Sequence, residues 1–331
     1  MREFITPGAA MLRDEVLRQK TPAVLRGLAS EWPAVRAARD SPQALLGYLS
    51  RFATETPVDA LMTAPEIEGE IFYDENLRGF NFHRNRLPIM QIAAQILRYA
   101  QFERAPAVAA QSALIESCLP GFAAENGLEV LAAGIRPRIW LGNRITTPIH
   151  VDEWNNIGCV VAGRRRFTLF PPEQIDNLYI GPLDFAPTGA PMSLVSLRRP
   201  DLARYPRFQI ALNAAQTVEL AGGDALFIPP LWWHHVESLE PFNVLVNYWW
   251  HEELGDGTAA DSAFEALVHG ILAIRSLPGE TRGAWRAFFE QYVFQDAPLE
   301  HIPADRLGLL GKLSAPQRAA LRKHLKQRLR D

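Results

Sequence analysis

The sequence predicts a mainly β protein with flanking helices, built around an antiparallel sandwich or barrel, and three observations carry that expectation. Between about Arg138 and Trp250, short runs rich in β-branched and aromatic residues follow one another: RIWLGN, TTPIHVD, IGCVVAG, RRFTLFPP, TVEL, ALFIPP, HHVES and FNVLVNYWW. Short strands at this spacing without intervening helices argue against a βαβ sheet. The 25 Pro and 8 Trp residues suit many short strands punctuated by turns and walled by bulky aromatics. On either side of this stretch, apolar residues recur at helical spacing instead.

The 331 residues amount to about two typical domains, or one large domain with appendages. Hydrophobic residues make up 48% and the net charge is −3, which excludes intrinsic disorder. Cys118 and Cys159 are too few for a disulfide scaffold or a Cys-rich zinc module, so a reduced compartment is expected. No run approaches the ~18 apolar residues of a membrane span, and acidic residues stand where a signal peptide has its apolar region. We expect a cytoplasmic protein with no membrane partner. The near-neutral charge argues against a nucleic-acid-coated surface, leaving room only for a local basic patch.

Three regions follow. Residues 1–137 supply helical and strand elements that support the barrel. Asp14 to Gln19 reads as the tail of an amphipathic helix, and Pro22 to Leu28 as a strand entering a turn. Ser41 followed by Pro42 is an N-cap with Pro at the first helical position, predicting a helix over Ser41–Phe52. Another helix is expected over Ile89–Tyr99, where Ile92, Ile96 and Leu97 share a face.

Residues 138–250 form the barrel. Ala221–Asp224 reads as a Gly-rich hairpin turn, and Leu239–Pro241 separates the last two strands. Glu173 to Gln216 is a long Pro-punctuated insert, expected to cover the barrel mouth. Neither a Gly-rich dinucleotide fingerprint nor a phosphate-cradling loop occurs, so NAD- and ATP-dependent readings have no support.

Residues 251–331 return to helix, over Ala263–Leu277, over Arg282–Phe294 and after a Ser314 cap. Their aromatic faces must be buried by homodimerisation or by packing back on the barrel.

The chemistry concentrates in Thr147-Pro148-Ile149-His150-Val151-Asp152. Strand residues two apart share a face, so His150 and Asp152 present an imidazole and a carboxylate side by side. An isolated His-x-Asp arises often by chance. A second candidate in Trp232-Trp233-His234-His235 strengthens it, because two His and one carboxylate suit non-haem Fe(II) and leave positions open, unlike the closed tetrahedron of structural zinc.

The stretches TPIHVDEWNNIGCVVAGRRRFTLFPPEQIDNLYIGP and GGDALFIPPLWWHHVESLEPFNVLVNYWW resemble the cupin-like JmjC oxygenases, in the branch of the factor-inhibiting-HIF asparaginyl hydroxylase. The resemblance is close over about Arg138 to Trp250, and TPAVLRGLASEWPAV and FYDENLRGFNF are similar to the amino-terminal part of bacterial cupin-like proteins. It implies a double-stranded β-helix (jelly roll), with His150, Asp152 and His234 as iron ligands. His235 should point away as a hydrogen-bonded core residue.

The family's basic residue for the far carboxylate of 2-oxoglutarate, usually Lys, falls on Arg165, whose guanidinium can pair with a carboxylate in bidentate fashion. Arg166 is the alternative if the alignment slips by one. Thr147 matches the family's hydroxyl donor to the same carboxylate, with Pro148 supplying a bend. Asn156 and Asn247 match asparagines lining the iron pocket, with Trp249 as a pocket wall, whereas Trp232 and Trp233 read as packing.

The resemblance implies Fe(II) as cofactor, with O₂ and 2-oxoglutarate as co-substrates and succinate as product. The first substrate expectation is a protein side chain, the second an RNA or a small molecule. A metal-binding cupin module without turnover is the reading from another class.

Overall fold

The computed structural model describes residues 1–132, 134–251, 262–295 and 299–329. The chain divides into two compact units, residues 1–252 and 253–331, each described by itself.

The first unit begins with β1 (Arg2–Ile5) and β2 (Ala23–Arg26), paired in parallel. The helical turn expected at Asp14–Gln19 lies earlier, over Ala9–Val16, because Leu12 and Val16, one turn apart, are the residues the core takes up. Then follow α1 (Pro33–Asp40) and α2 (Pro42–Ser50), and the Ser41 hydroxyl caps the latter by accepting the Ala44 N–H at 3.0 Å. Next come β3 (Pro57–Thr63), β4 (Phe82–Pro88), α3 (Ile89–Tyr99) and β5 (Ala107–Leu114). Helix α3 has the bounds its periodicity predicts and buries Ile89, Ile92, Ala93 and Ile96.

The barrel strands are β6 (Arg138–Gly142), β7 (Thr146–His150), β8 (Asn155–Ala162) and β9 (Arg164–Phe170). After α4 (Phe208–Ala214) come β10 (Gln216–Ala221), β11 (Ala225–Ile228), β12 (Trp233–Ser238) and β13 (Asn243–Trp250). They assemble into a nine-stranded sheet, β1-β2-β11-β8-β13-β6-β5-β3-β4, and a four-stranded sheet, β10-β9-β12-β7. This is a jelly roll whose large sheet is extended at both edges by the amino-terminal strands, β1-β2 beside β11 and β5-β3-β4 beside β6.

Alternation along each strand sets the layers. Val160, Leu226 and Leu245 of the large sheet meet Phe167, Leu169, Val218 and Val236 of the small one in the interior. Their neighbours of opposite parity on the large sheet, Cys159, Val161, Val244 and Val246, pack outward in the same cluster as residues of α1, α2 and α3.

Two expectations about connections change. Ala221–Asp224 is not a hairpin, since β10 belongs to the small sheet and β11 to the large one. The turn instead carries the chain between sheets, with Gly223 at φ +104° and the Asp224 carboxylate accepting the Ala221 N–H at 3.2 Å and the Gly27 N–H at 3.1 Å. The insert from Glu173 to Gln216 lies against the outer face of the small sheet and along β7, where the Val151 N–H donates to Pro191 and the Ser193 N–H to Ile149. Its Leu178, Val195 and Phe208 bury the outward-facing Ile149, Phe170 and Trp233.

The second unit holds α5 (Ala263–Ile274), α6 (Gly279–Phe289), which runs into a wider turn to Phe294, and α7 (Ala315–Arg328). The expected boundary after residue 250 abuts residues 252–261, which lie outside the described residues. Leu267, Leu272, Trp285, Phe288 and Phe294 are exposed on these helices.

Candidate metal centre

The site is built on the pairing of β7 with β12. His150 and His234 are direct cross-strand partners, so both imidazoles lie on the same face, their ring centroids 4.1 Å apart. Asp152 lies just past β7, its Oδ2 3.7 Å from His234 Nε2. One ligand atom from each residue fits within 4.8 Å of the others, the only such group among the described residues.

Local contacts orient each ligand. His150 Nδ1 lies 2.8 Å from the Pro148 carbonyl and His234 Nδ1 3.0 Å from the Trp232 carbonyl. Each Nδ1 donates its proton there, leaving Nε2 with a free lone pair. Burial, and then the nearby His150, lowers the His234 pKa to about 4 against the opposing pull of Asp152, so the ring is neutral at pH 7. Leu231, at φ +65°, donates its N–H to the Asp152 carbonyl at 2.9 Å and ties the carboxylate's loop to the start of β12.

Deeper in the barrel, the register stacks the inward-facing residues in rows. His234 pairs with His150 and Leu169, then Val236 with Thr147 and Phe167, then Ser238 with Arg165. Thr147 reaches this face because the register slips between His234 and Val236, setting His235 alone opposite Pro148 and Ile149. Without the bulge, strict alternation from His150 would turn Thr147 outward.

Arg165 follows two rows in, about 13 Å along the strand from the histidine row. It is 5% exposed, and its Nε finds no partner among the described residues. Burial lowers its pKa to about 10. The alternative, Arg166, faces outward, with Nη2 2.7 Å from Glu219 and Nη1 3.4 Å from Glu237. Arg164 is likewise outside, paired with Glu240.

Asn156 and Asn247 are both buried and adjacent in a chain of donors. Trp140 Nε1 donates to Asn247 Oδ1 at 3.0 Å, and Asn247 Nδ2 donates to Asn156 Oδ1 at 3.4 Å. Trp140 had no sequence signal beyond its sharing a strand face with Arg138. Trp249 packs edge-on against it, and the Trp249 N–H is buried with no partner among the described residues. Trp154, two residues after the ligand carboxylate, is 42% exposed with its ring 3.6 Å from that of His251. An aromatic residue two positions after His-x-Asp is the signal that would have found it.

Trp232 and Trp233 are both buried, as packing residues. His235 differs from expectation. It points away from the ligands and is buried, but neither ring nitrogen is hydrogen-bonded to any described residue, and the hydroxyl of its cross-strand neighbour Thr168 pairs with Thr217 instead.

The cupin-like domain profile matches residues 9–256, three quarters of the chain. The protein belongs to the cupin-like (JmjC) family. HSPB1-associated protein 1 of Bos taurus is 34% identical over 167 residues, which is 50% of this chain and 32% of that protein. The lysine-specific demethylase JMJ31 of Arabidopsis thaliana is 30% identical over 263 residues, 69% of this chain and 46% of the relative. The human tRNA wybutosine-synthesizing protein 5 is 33% identical over 156 residues, 42% and 46% of the two chains. The matched regions thus span between a third and a half of these relatives.

The family's cofactors are Fe(II) and 2-oxoglutarate, and the residues fit both. Two imidazoles and one carboxylate make an open three-ligand set suited to Fe(II). A buried guanidinium with an unpartnered Nε, two rows deeper, is a partner for a carboxylate that reaches inward from the metal.

Proposed function

We propose that the protein is an Fe(II)- and 2-oxoglutarate-dependent hydroxylase acting on a protein side chain. The arrangement of rows carries this reading, with the metal ligands at the mouth, Thr147 behind them and Arg165 behind Thr147. When bound, the iron and co-substrate supply the oxidising chemistry, coupling decarboxylation to succinate with hydroxylation of a C–H bond.

The chain's own part is positional. His150, Asp152 and His234 hold one face of the metal and act as ligands rather than as acids or bases. Arg165 pairs with the far carboxylate, Thr147 donates a hydroxyl to it, and Asn156, held by Asn247, turns its amide toward the pocket. The apolar interior around Phe167, Leu169 and Val236 keeps water out.

The demethylase relative's name points to protein side chains as substrates, and Trp154 offers a flat surface beside the metal for one. The tRNA-modifying relative supports RNA as the second reading. An intact ligand set favours turnover over a binding-only module. We place the protein in the cytoplasm on its two buried free thiols, and no helix among the described residues is long and apolar enough to cross a membrane. The exposed apolar faces of α5 and α6 are proposed to form a homodimer.

The test is succinate formation from 2-oxoglutarate with Fe(II) and O₂, without substrate and with peptide or RNA pools. Turnover by the wild type and none by His150→Ala is expected. A wild type that binds metal but never forms succinate would leave the binding-module reading in its place.

A further inference from the structure

We propose that a second, metal-independent site for a small organic anion lies at the opposite end of the barrel. A cleft of about 640 Å³ opens there, within the range of small-molecule pockets. It reaches Thr146 at the start of β7 and Ser238 at the end of β12, whereas the ligands occupy the other ends of the same strands. Four residues separate Thr146 from His150, or about 13 Å of strand.

The cleft wall is held by backbone. Asn143 Oδ1 accepts the Val108 N–H at 2.8 Å and its Nδ2 donates to Pro106 at 2.9 Å, pinning the start of β5 to the end of β6. The Thr146 N–H donates to Gly69 at 2.8 Å and the Ile71 N–H to Thr146 at 3.1 Å, which clamps the opposite rim. Gly69 is required there, since at φ +77° a Cβ would stand 1.9 Å from the Arg144 carbonyl oxygen.

Unsatisfied groups project from this fixed wall. Arg104 and Arg144 both line the cleft, and neither guanidinium is hydrogen-bonded or paired with a carboxylate among the described residues. Of the three lining carboxylates, Glu68 is engaged by Arg198 and Arg199, and Glu237 by Arg166 from outside the cleft. Glu103 alone is unpaired among the described residues, so the free charge favours an anion. Ser238 also lines the cleft, but its hydroxyl is buried in the inward row of Arg165 and is not offered to a ligand there. Tyr99 and Phe102, the latter 57% exposed, give an aromatic flank.

Two guanidiniums without a partner among the described residues and an aromatic flank fit a phosphate or carboxylate head carried on a flat body. The site stands apart from the oxygenase reading, because none of its residues holds metal or co-substrate.

The test is calorimetric titration of the full chain with AMP, inorganic phosphate and adenosine as probes. AMP is expected to bind more tightly than either fragment. The double variant Arg104→Ala/Arg144→Ala should weaken AMP binding at least tenfold. His150→Ala should bind AMP like the wild type, whether or not the metal site turns over. Three results would each overturn the proposal: no AMP binding at millimolar concentration, binding indifferent to the double arginine variant in a protein that melts normally, or binding lost in His150→Ala.

Discussion

Arg165→Met separates the cost of a buried cation from its use. The side chain is buried, its Nε is unpartnered, and burial lowers its pKa from 12.5 to about 10. At about 1.36 kcal/mol per unit, that depression corresponds to a folding penalty of about 3 kcal/mol. The unfolded chain holds this proton more tightly, so the penalty is present at every pH below about 10 and is relieved as pH rises from there toward 12.5. Methionine fills a similar volume without charge, so the ligand-free variant should be more stable than the wild type. At about 2 °C per kcal/mol for a unit of this size, its Tm should rise by about 6 °C.

Saturating 2-oxoglutarate with Fe(II) under nitrogen should reverse the order. At a thousand times its Kd, the co-substrate stabilises the wild type by about 4.1 kcal/mol, more than the penalty of about 3 kcal/mol, and the variant should gain little. Thermal unfolding with and without 2-oxoglutarate reads both effects, with Arg166→Met as the control for the outward-facing neighbour. If ligand-free Arg165→Met melts several degrees below the wild type, or keeps the co-substrate shift that Arg166→Met loses, the assignment of Arg165 is wrong.

Other expectations follow from single residues. Burial, reinforced by His150, Arg198, Arg166 and His234, lowers the His235 pKa to about 3, so the unfolded state binds the extra proton between about pH 6.5 and 3. Stability contributed by keeping this ring neutral is lost as pH falls through that window, by up to about 1.4 kcal/mol per pH unit. His235→Leu should flatten the acid limb of a urea-unfolding series, and an unchanged limb would refute the cause. Gly163→Ala would set a Cβ 2.3 Å from Asn243 Oδ1 at φ +76°. It should cost about 2 kcal/mol or more in denaturant unfolding, and a neutral variant would contradict the tight β8–β9 turn. Trp140→Phe removes the donor to Asn247 and should cost about 1–2 kcal/mol while weakening co-substrate binding; an effect on stability alone would separate Asn247 from the pocket. Truncation after His251 should leave a monomeric barrel by light scattering, whereas an unchanged dimer would place the interface elsewhere.

Where a feature depends on neighbours in sequence, it was legible in the chain. Helix α3 announced its bounds through Ile89, Ile92 and Ile96, and Ser41-Pro42 announced the start of α2. The parity of Asn243, Leu245, Asn247 and Trp249 against Val244, Val246 and Tyr248 told the two faces of β13 apart, and the packing clusters divide Leu245 from Val244, Val246 and Tyr248 in that way. The His-x-Asp spacing and the later His marked three residues that the structure brings within ligand distance.

Long-range pairing was not legible. The Ala221–Asp224 turn has hairpin chemistry, yet β10 pairs with β9 while β11 pairs with β2 and β8. A turn's residues specify its backbone angles but not which strands compete for the edges it releases. The insert was recognisable as an insert, but only the apolar outer faces of Ile149, Phe170 and Trp233 decided that it covers the small sheet.

By itself, then, the sequence determined the strand and helix content, which follows from local periods of two or 3.6 residues, and the metal-ligating residue types, whereas Arg165 rested on the resemblance to the cupin-like JmjC oxygenases with Arg166 as its alternative. Only the tertiary structure decided that Thr147 shares the interior with Arg165, through a bulge set by the pairing of β7 with β12. It also decided that Arg166 is satisfied by Glu219 and Glu237 while Arg165 keeps an unpartnered buried nitrogen. Periodicity assigns a residue to a face, but the register between strands distant in sequence assigns its neighbours, and those neighbours make the site.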